Sequence, residues 1–299
     1  MRVLITGGLG YIGAHLASEL VDRGHELHII DQDARSPNLD FVSHCGMVKL
    51  LSLQDMDFSS MTGLTRDYDA IVHLAAFISV EESMHEPLAY WSNNITALTD
   101  TLHHFRTPHF IFASTGTAFN PENPYSMSKV AGEQIIRSAH ASSSPSSSIG
   151  GYTIFRFYNV SGLRDPIRPT GQPTHLIRRA AMAAKGLLPG LTVYGSDYET
   201  RDGTCIRDYI HVEDLAASIA NAVTGSPANS SYECLATGSG STVLEVVESM
   251  KRVTSVDFRV TMAERRPGDT AITVCPSQYS GISISKTLDD MCISAYCNL

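Results

Sequence analysis

The sequence predicts an α/β chain, a doubly wound parallel sheet followed by a smaller C-terminal lobe, and three observations carry this reading. Strand-sized apolar runs alternate with helical patterns through the first half. A glycine turn, Thr6-Gly7-Gly8-Leu9-Gly10-Tyr11-Ile12-Gly13, stands directly behind the first of those runs. From about residue 160 prolines, glycines and arginines become denser and the alternation is lost.

In chain order, Val3-Leu4-Ile5 reads as the first strand and residues 12–22 as a helix entered through the glycine turn. Leu27-His28-Ile29-Ile30 reads as the second strand, closed by Asp31 eighteen residues beyond Gly13. Further strands are expected at Gly46–Leu51, Ala70–Ala75, His109–Ala113 and Thr153–Phe157, with helices near 83–105 and 126–141. The stretch from Ala141 to Gly151 is serine-rich and breaks the helical pattern, so it reads as a surface loop without function. Residues 1–160 form the first domain, to which the chain returns around 205–225, and 161–299 form mainly the second lobe.

The first strand–turn–helix–strand unit has the chemistry of a Rossmann-like dinucleotide site. Gly7 permits the tight turn, Gly10 lets backbone approach a pyrophosphate, and Gly13 lets the helix pack close to its strand. The helix N-terminus then favours the anion. Asp31 falls where a ribose 2′-hydroxyl would donate and a 2′-phosphate would be repelled, which favours NAD over NADP.

A second constellation is Tyr125-Ser126-Met127-Ser128-Lys129. On a helix, positions i and i+4 share a face, so phenol and ammonium point into the same space. A phenol is a poor base at neutral pH, but a nearby ammonium and a positively charged nicotinamide both favour the phenolate. Such a tyrosine takes a proton from a substrate hydroxyl while hydride leaves the same carbon. Thr115 ends the run Phe110-Ile111-Phe112-Ala113-Ser114-Thr115 at the C-terminal edge of a strand, where open α/β sheets place their ligands.

Composition agrees with an enzyme of this kind. The chain has 299 residues and a net charge of −9, with a pI near 5.7, so a nucleic-acid partner is disfavoured by repulsion. No apolar stretch approaches the ~20 residues of a membrane span, and the N-terminus reads as a strand rather than a signal peptide. Cys45, Cys205, Cys234, Cys275, Cys292 and Cys297 show no CxxC or zinc-finger spacing. They read as reduced, mostly buried thiols in a cytoplasmic compartment, with no metal site.

These residues give the chain a family resemblance. It is similar to the extended short-chain dehydrogenase/reductases, and within them to the UDP-glucose 4-epimerases. The resemblance runs from Met1 to about Asp269. It rests on TGGLGYIG (6–13), on YxxxK (125–129) and on RFYNVSG (156–162). It also rests on DGTCIRDYIHVEDLA (202–216) and RRPGD (265–269). It implies tightly bound NAD, a UDP-sugar substrate and a homodimer formed through the helices near 83–105 and 126–141. Cofactor contacts are then implied at Gly7, Gly10, Tyr11, Ile12, Gly13, Asp31, Ser52, Leu53, Leu74, Ala75, Ala76, Asn94, Tyr125, Lys129 and Tyr158. Thr115 would hydrogen-bond the sugar 4-hydroxyl, Tyr125 would be the base, and Lys129 would hold the nicotinamide ribose and lower the tyrosine pKa. Asn94 would help position the cofactor. Asn159, Arg207, Arg266 and Asp269 would bind the nucleotide, the arginines on the diphosphate and the carboxylate on the uridine ribose. Leu176, Tyr194 and Thr273 complete the implied substrate contacts. His175 either contacts the diphosphate or packs.

The implied reaction inverts C4 of a UDP-hexose through a transient 4-keto sugar. A dehydratase or decarboxylase of the same family carries an acid after the strand-end threonine. Here Gly116-Thr117-Ala118-Phe119 follows Thr115. Several positions depart from the family pattern. The link from Thr115 to Tyr125 is short, and Phe119 stands where a tyrosine is common. Ile78 replaces a lysine of some relatives, and Ser52 stands where an Asp usually meets the adenine. Thr273 is fairly small, which points towards tolerance of the N-acetylated pair. After Asp269 the resemblance fades and implies a poorly built C-terminal cap. Two alternatives stay open at this point: another nucleotide-sugar epimerase or dehydratase of the family, and a catalytically weak NAD-binding protein.

Overall fold

The computed structural model describes residues 1–55, 61–142, 148–225, 230–266, 269–277 and 281–299. The first strands and helices are β1 (Arg2–Thr6), α1 (Tyr11–Asp22), β2 (Glu26–Asp31), α2 (Leu39–Cys45), β3 (Met47–Leu50), β4 (Ala70–His73), α3 (Val80–His85), α4 (Pro87–His104), β5 (Thr107–Thr115), α5 (Pro124–Ala141) and β6 (Ile149–Phe157). There follow β7 (Asn159–Ser161), α6 (Leu176–Ala184), β8 (Leu191–Tyr194), β9 (Ile206–His211), α7 (Val212–Thr224) and β10 (Ser231–Leu235). The last are β11 (Gly240–Thr242), α8 (Val243–Thr254), β12 (Val260–Ala263), β13 (Ile272–Thr273) and α9 (Leu288–Cys297). The chain divides into two compact units: Met1–Phe157 with Ile219–Glu233, and Tyr158–Ser218 with Cys234–Leu299. The return to the first unit thus runs from the second half of α7 into β10.

The first unit is built on a seven-stranded sheet in the order β10-β6-β5-β4-β1-β2-β3. The ladders that join β3, β2, β1, β4, β5 and β6 are parallel. Strands covered on both faces read as continuous apolar runs. Accordingly Val3, Leu4, Ile5, Ile29, Ile30, Ile71, Val72, Phe110, Ile111, Ile154 and Phe155 are all buried. This is the doubly wound α/β fold expected.

Element boundaries differ where local chemistry interrupts the periodic pattern. The single helix expected near 83–105 is two, because Pro87 opens α4 and has no N–H to continue α3. The short α2 buries only Val42 and Cys45 and went unread for want of a full apolar stripe. The fourth strand stops at His73, and Leu74–Ala76 leave the sheet. Strand β6 begins at Ile149, so the last residues of the serine-rich stretch belong to the sheet; residues 143–147 lie outside the described residues.

In the second unit β9 pairs with β11, β13 and β7, while β8 pairs with β12. Its core unites Ile177, Ala180, Leu191, Val193, Val246, Met250, Met291 and Cys292. Helix α9 carries a reciprocal Thr287–Asp290 capping box and buries Met291, Cys292 and Ala295. The C-terminal cap is therefore well built, a correction to the sequence reading.

Candidate functional site

In the first unit the glycine turn forms a cradle closed by backbone. Gly7 has φ +74°, and a Cβ on it would lie 2.7 Å from the Ala75 nitrogen. A Cβ on Gly13 would come within 2.4 Å of the Gly7 carbonyl oxygen, so α1 can pack this close only with glycine there. Gly10 caps α1 and offers its first-turn N–H groups no side-chain oxygen. Tyr11 and Ile12 are the first residues of that helix.

Asp31, at the end of β2, accepts the Leu9 N–H at 2.9 Å on Oδ2 and the Asp33 N–H at 3.0 Å on Oδ1. Its carboxylate is thereby aimed and tied to the glycine turn. Ser36 and Asn38 donate to the Leu9 carbonyl at 2.7 and 3.2 Å, a restraint the sequence reading missed. Ser52 lies just beyond β3, and Leu53 opens a short 3-10 turn with its side chain buried.

Asn94 on α4 is buried and acts as a bracket rather than an open donor. It accepts the Phe77 N–H at 2.8 Å and donates to the Phe77 carbonyl at 3.2 Å. It also donates to the Ser128 hydroxyl at 2.9 Å, which in turn donates to the Tyr125 carbonyl at 2.7 Å. Asn94 thus joins the segment after β4 to the first turn of α5.

Thr115 at the end of β5 is buried and caps the 3-10 turn Gly116–Phe119. Tyr125 and Lys129 lie one turn apart on α5, whose N-cap Asn123 accepts the Ser126 N–H at 2.9 Å. Burial pushes the Tyr125 phenol up to about 12, against a hydrogen bond from Thr115 that lowers it. Lys129 is buried, donates to the Ala113 carbonyl at 2.9 Å and lies 5.0 Å from the centre of the Phe112 ring. Burial brings its ammonium down to about 7. Desolvation is thus the largest influence on both groups and disfavours the charged form of each.

The sequence reading also missed Glu133, one turn beyond Lys129 on the same stripe of α5. Glu133 is buried and accepts the Ser114 hydroxyl at 2.6 Å. It takes a two-pronged ion pair from Arg156 at 2.9 and 2.7 Å. The Arg156 guanidinium lies 4.5 Å from the centre of the exposed Phe119 ring. The i, i+4, i+8 spacing from Tyr125 was the available signal.

A separate cluster forms in the second unit. Arg207 on β9 donates to the Ile206 and Thr270 carbonyls at 3.0 and 2.8 Å and reaches Asp269 at 3.4 Å. Thr273 faces Arg207 across the β13–β9 ladder and shares a hydrogen bond of 2.9 Å with Thr270. The Asp269 N–H donates to the Arg266 carbonyl at 3.2 Å, and the Arg266 guanidinium lies 3.9 Å from the Tyr194 ring centre. Arg207, Arg266, Asp269, Thr273 and Tyr194 are thus brought together. Pro267 and Gly268 of that motif lie outside the described residues.

Asn159 on β7 donates to the Asp208 carbonyl at 2.9 Å. Tyr158 packs with Cys234, Ala236 and Cys275. His175 is exposed at the N-cap of α6, and Leu176 packs on the core of that unit; neither has a hydrogen bond to the arginine cluster among the described residues. Asp208 itself was missed. It is fully buried and gathers the N–H groups of Thr237, Gly238 and Cys275 at 2.8, 2.9 and 3.2 Å, fixing the strand that presents Arg207.

Among the described residues no group of His, Cys, Asp or Glu is arranged to hold a metal ion, and no helix is long and apolar enough to cross a membrane. Residues 3–234 match the family described as NAD dependent epimerase/dehydratase. The chain is 31% identical to the UDP-glucose 4-epimerase of Bacillus subtilis, over 99% of this chain and 96% of that protein. The fold is similar to the UDP-glucose 4-epimerase of Brucella ovis in complex with NAD, at 31% identity and a TM-score of 0.89, covering 99% of this chain and 97% of that one. It is also similar to the UDP-Glc/GlcNAc 4-epimerase of Campylobacter jejuni, at 32% identity and a TM-score of 0.79, covering 99% of this chain and 98% of that one.

Proposed function

The chain belongs to the NAD-dependent epimerase/dehydratase family, on its UDP-glucose 4-epimerase branch, and from that premise we propose how its residues divide the work of inverting C4 of a UDP-hexose. The observation that carries the proposal is the arrangement at the end of β5, where buried Thr115, which lowers the pKa of the Tyr125 phenol, is followed on α5 by Tyr125 and Lys129 one turn apart.

The glycine cradle fits a dinucleotide, because Gly7 and Gly13 leave the space that any Cβ would fill. NAD bound there supplies a hydride acceptor and donor for a transient 4-keto sugar, so no net oxidation results. Asp31, oriented by two backbone N–H groups, is set to accept from a ribose hydroxyl. Lys129 is assigned to the nicotinamide ribose, and Asn94 to holding the segment Leu74–Phe77 against α5. Tyr158, Ser52 and Leu53 are assigned to the remaining cofactor contacts.

Tyr125 is assigned as the base that takes the proton of the sugar 4-hydroxyl and later returns it, with Thr115 as its hydrogen-bond partner. With its phenol held at about 12, the reaction needs added positive charge beside Tyr125 to bring the phenolate within reach. In the second unit Arg207 and Arg266 are assigned to the diphosphate and Asp269 to the uridine ribose, with Asn159, Tyr194 and Leu176 beside them. His175 is exposed and able to meet a phosphate. Thr273, small and adjacent to Arg207, supports acceptance of the N-acetylated sugars as well as UDP-glucose and UDP-galactose. A homodimer and a cytoplasmic setting complete the proposal, the latter supported by six free cysteines.

The test is incubation of the purified protein with UDP-galactose and, separately, UDP-GalNAc, with product sugars followed by NMR. The C4 epimer is expected, and a Tyr125→Phe variant should lose roughly 10³-fold of the rate. Absence of both epimers, with NAD supplied, would overturn the assignment.

A further inference from the structure

Two hydroxyl residues outside the assigned catalytic group form a chain that ends on it. The Thr117 hydroxyl lies 3.0 Å from that of Thr115 and 2.6 Å from that of Ser126. The Thr117 N–H also donates to the Thr115 oxygen at 3.3 Å. Ser126 is completely buried, and among the described residues its hydroxyl meets no group but Thr117.

That closed end sets a direction. A hydroxyl has one proton to donate and two lone pairs to accept with. A buried donor without an acceptor costs free energy, so the Ser126 proton goes to Thr117. With that acceptance made, the Thr117 proton is free for Thr115. Thr115 then accepts both the N–H and the O–H of Thr117, which fills its lone pairs and leaves its own proton to be donated onward. Each bond polarises the next.

We propose that Thr117 and Ser126 are positioning residues, the source of a one-way hydroxyl chain from Ser126 through Thr117 to Thr115 that makes Thr115 a hydrogen-bond donor to the phenolic oxygen of Tyr125. A donor so fixed stabilises the phenolate whenever Tyr125 has given up or not yet taken its proton. It also explains why a threonine at the end of β5 serves a base it cannot itself replace. No bond is made or broken along the chain; only hydrogen-bond polarity is transmitted. The kinetic part of the inference rests on the epimerase reading, whereas the chain itself is testable without turnover.

The experiment uses the full-length protein with tyrosines labelled at ¹³Cζ, the Tyr125 resonance being identified by its loss in Tyr125→Phe. Thr117→Val removes the link at an exposed residue, and Thr117→Ser preserves it. Thr117→Val is expected to displace the Tyr125 resonance and Thr117→Ser to restore it. With UDP-galactose, Thr117→Val should lower kcat roughly tenfold with KM within about twofold, the size of one lost hydrogen bond to a charged group. The acid limb of its pH profile should move to higher pH, since the base becomes harder to ionise. An unmoved Tyr125 resonance in Thr117→Val overturns the chain. A displaced resonance in a protein whose unmodified form turns over neither UDP-galactose nor UDP-GalNAc upholds the chain and overturns the epimerase reading.

Discussion

At the scale of single residues, the site is governed by how close backbone must approach backbone. Within the cradle Gly7 carries a double demand, because its φ of +74° and its distance to Ala75 exclude a side chain on two separate grounds. Gly7→Ala should therefore lower NAD affinity by at least tenfold and cost about 1–2 kcal/mol of stability, measured by calorimetric titration and denaturant unfolding. Unchanged affinity would mean that the cradle is not the pyrophosphate site. Much of the candidate site's geometry was legible in the sequence, since the glycine turn, Asp31, Thr115, Tyr125 and Lys129 each stand within a short motif whose spacing fixes relative position. What escaped was set by partners distant in the chain. Asp208 looks like an ordinary strand residue until Thr237, Gly238 and Cys275 bring their N–H groups to it. The state of Lys129 also escaped, because the depth of burial that brings it down to about 7 depends on the packing of β4 and β5 around it.

At the scale of elements, α5 is the beam of the first unit's chemistry, and its stripe Tyr125–Lys129–Glu133 is fastened to β5 at two consecutive residues. Lys129 holds the Ala113 carbonyl and Glu133 holds the Ser114 side chain. Arg156, paired with Ser114 in the β5–β6 ladder, neutralises Glu133 in a site that leaves the acid almost no water. Arg156→Ala would strand that carboxylate, and a loss of about 3–5 kcal/mol in denaturant unfolding is expected. Arg156→Lys should rescue only part of it, because an ammonium cannot donate to both carboxylate oxygens in a fork. A loss below about 1 kcal/mol would show the pair to be no more than a surface bridge. Strand and helix identities were readable from periodicity over long runs such as Leu27–Ile30 and 126–141. The boundaries were not, where one residue decides them: Pro87 splits a continuous pattern, and Ile149 enters the sheet from a serine-rich stretch because β5 is there to pair with it. Strand β10 lies beside β6 although more than seventy residues separate them in the chain, a partnership that no local pattern announces.

At the scale of the whole molecule, buried imidazoles and exposed apolar side chains make two separate predictions. Burial pushes His73 down to about 3 and holds His109 and His211 below the usual imidazole range. His73 stays neutral in the folded chain below about pH 6.5, where an unfolded histidine charges, so the unfolded chain binds more protons in that window, and His109 and His211 act in the same direction. The stability that neutral His73 contributes is then fully present above about pH 6.5 and falls as the pH drops below it, by roughly 1.4 kcal/mol per pH unit. Denaturant unfolding at pH 7.5 and 5 measures this, and His73→Gln should flatten the slope by one proton. The second prediction concerns assembly. Leu88 is 80% exposed, and Met84, Trp91 and Met127 are also exposed, on α3, α4 and α5. Scattered apolar residues need no explanation, but helices that share several of them present a surface suited to a second copy. Light scattering at micromolar concentration should give twice the 32.5 kDa of one chain. Leu88→Arg, at a position that contributes little to the monomer's own core, should shift the mass to that of one chain while leaving the fold intact by circular dichroism. A mass unaffected by Leu88→Arg would place any dimer contact elsewhere, and a monomer before substitution would remove the homodimer from the proposal.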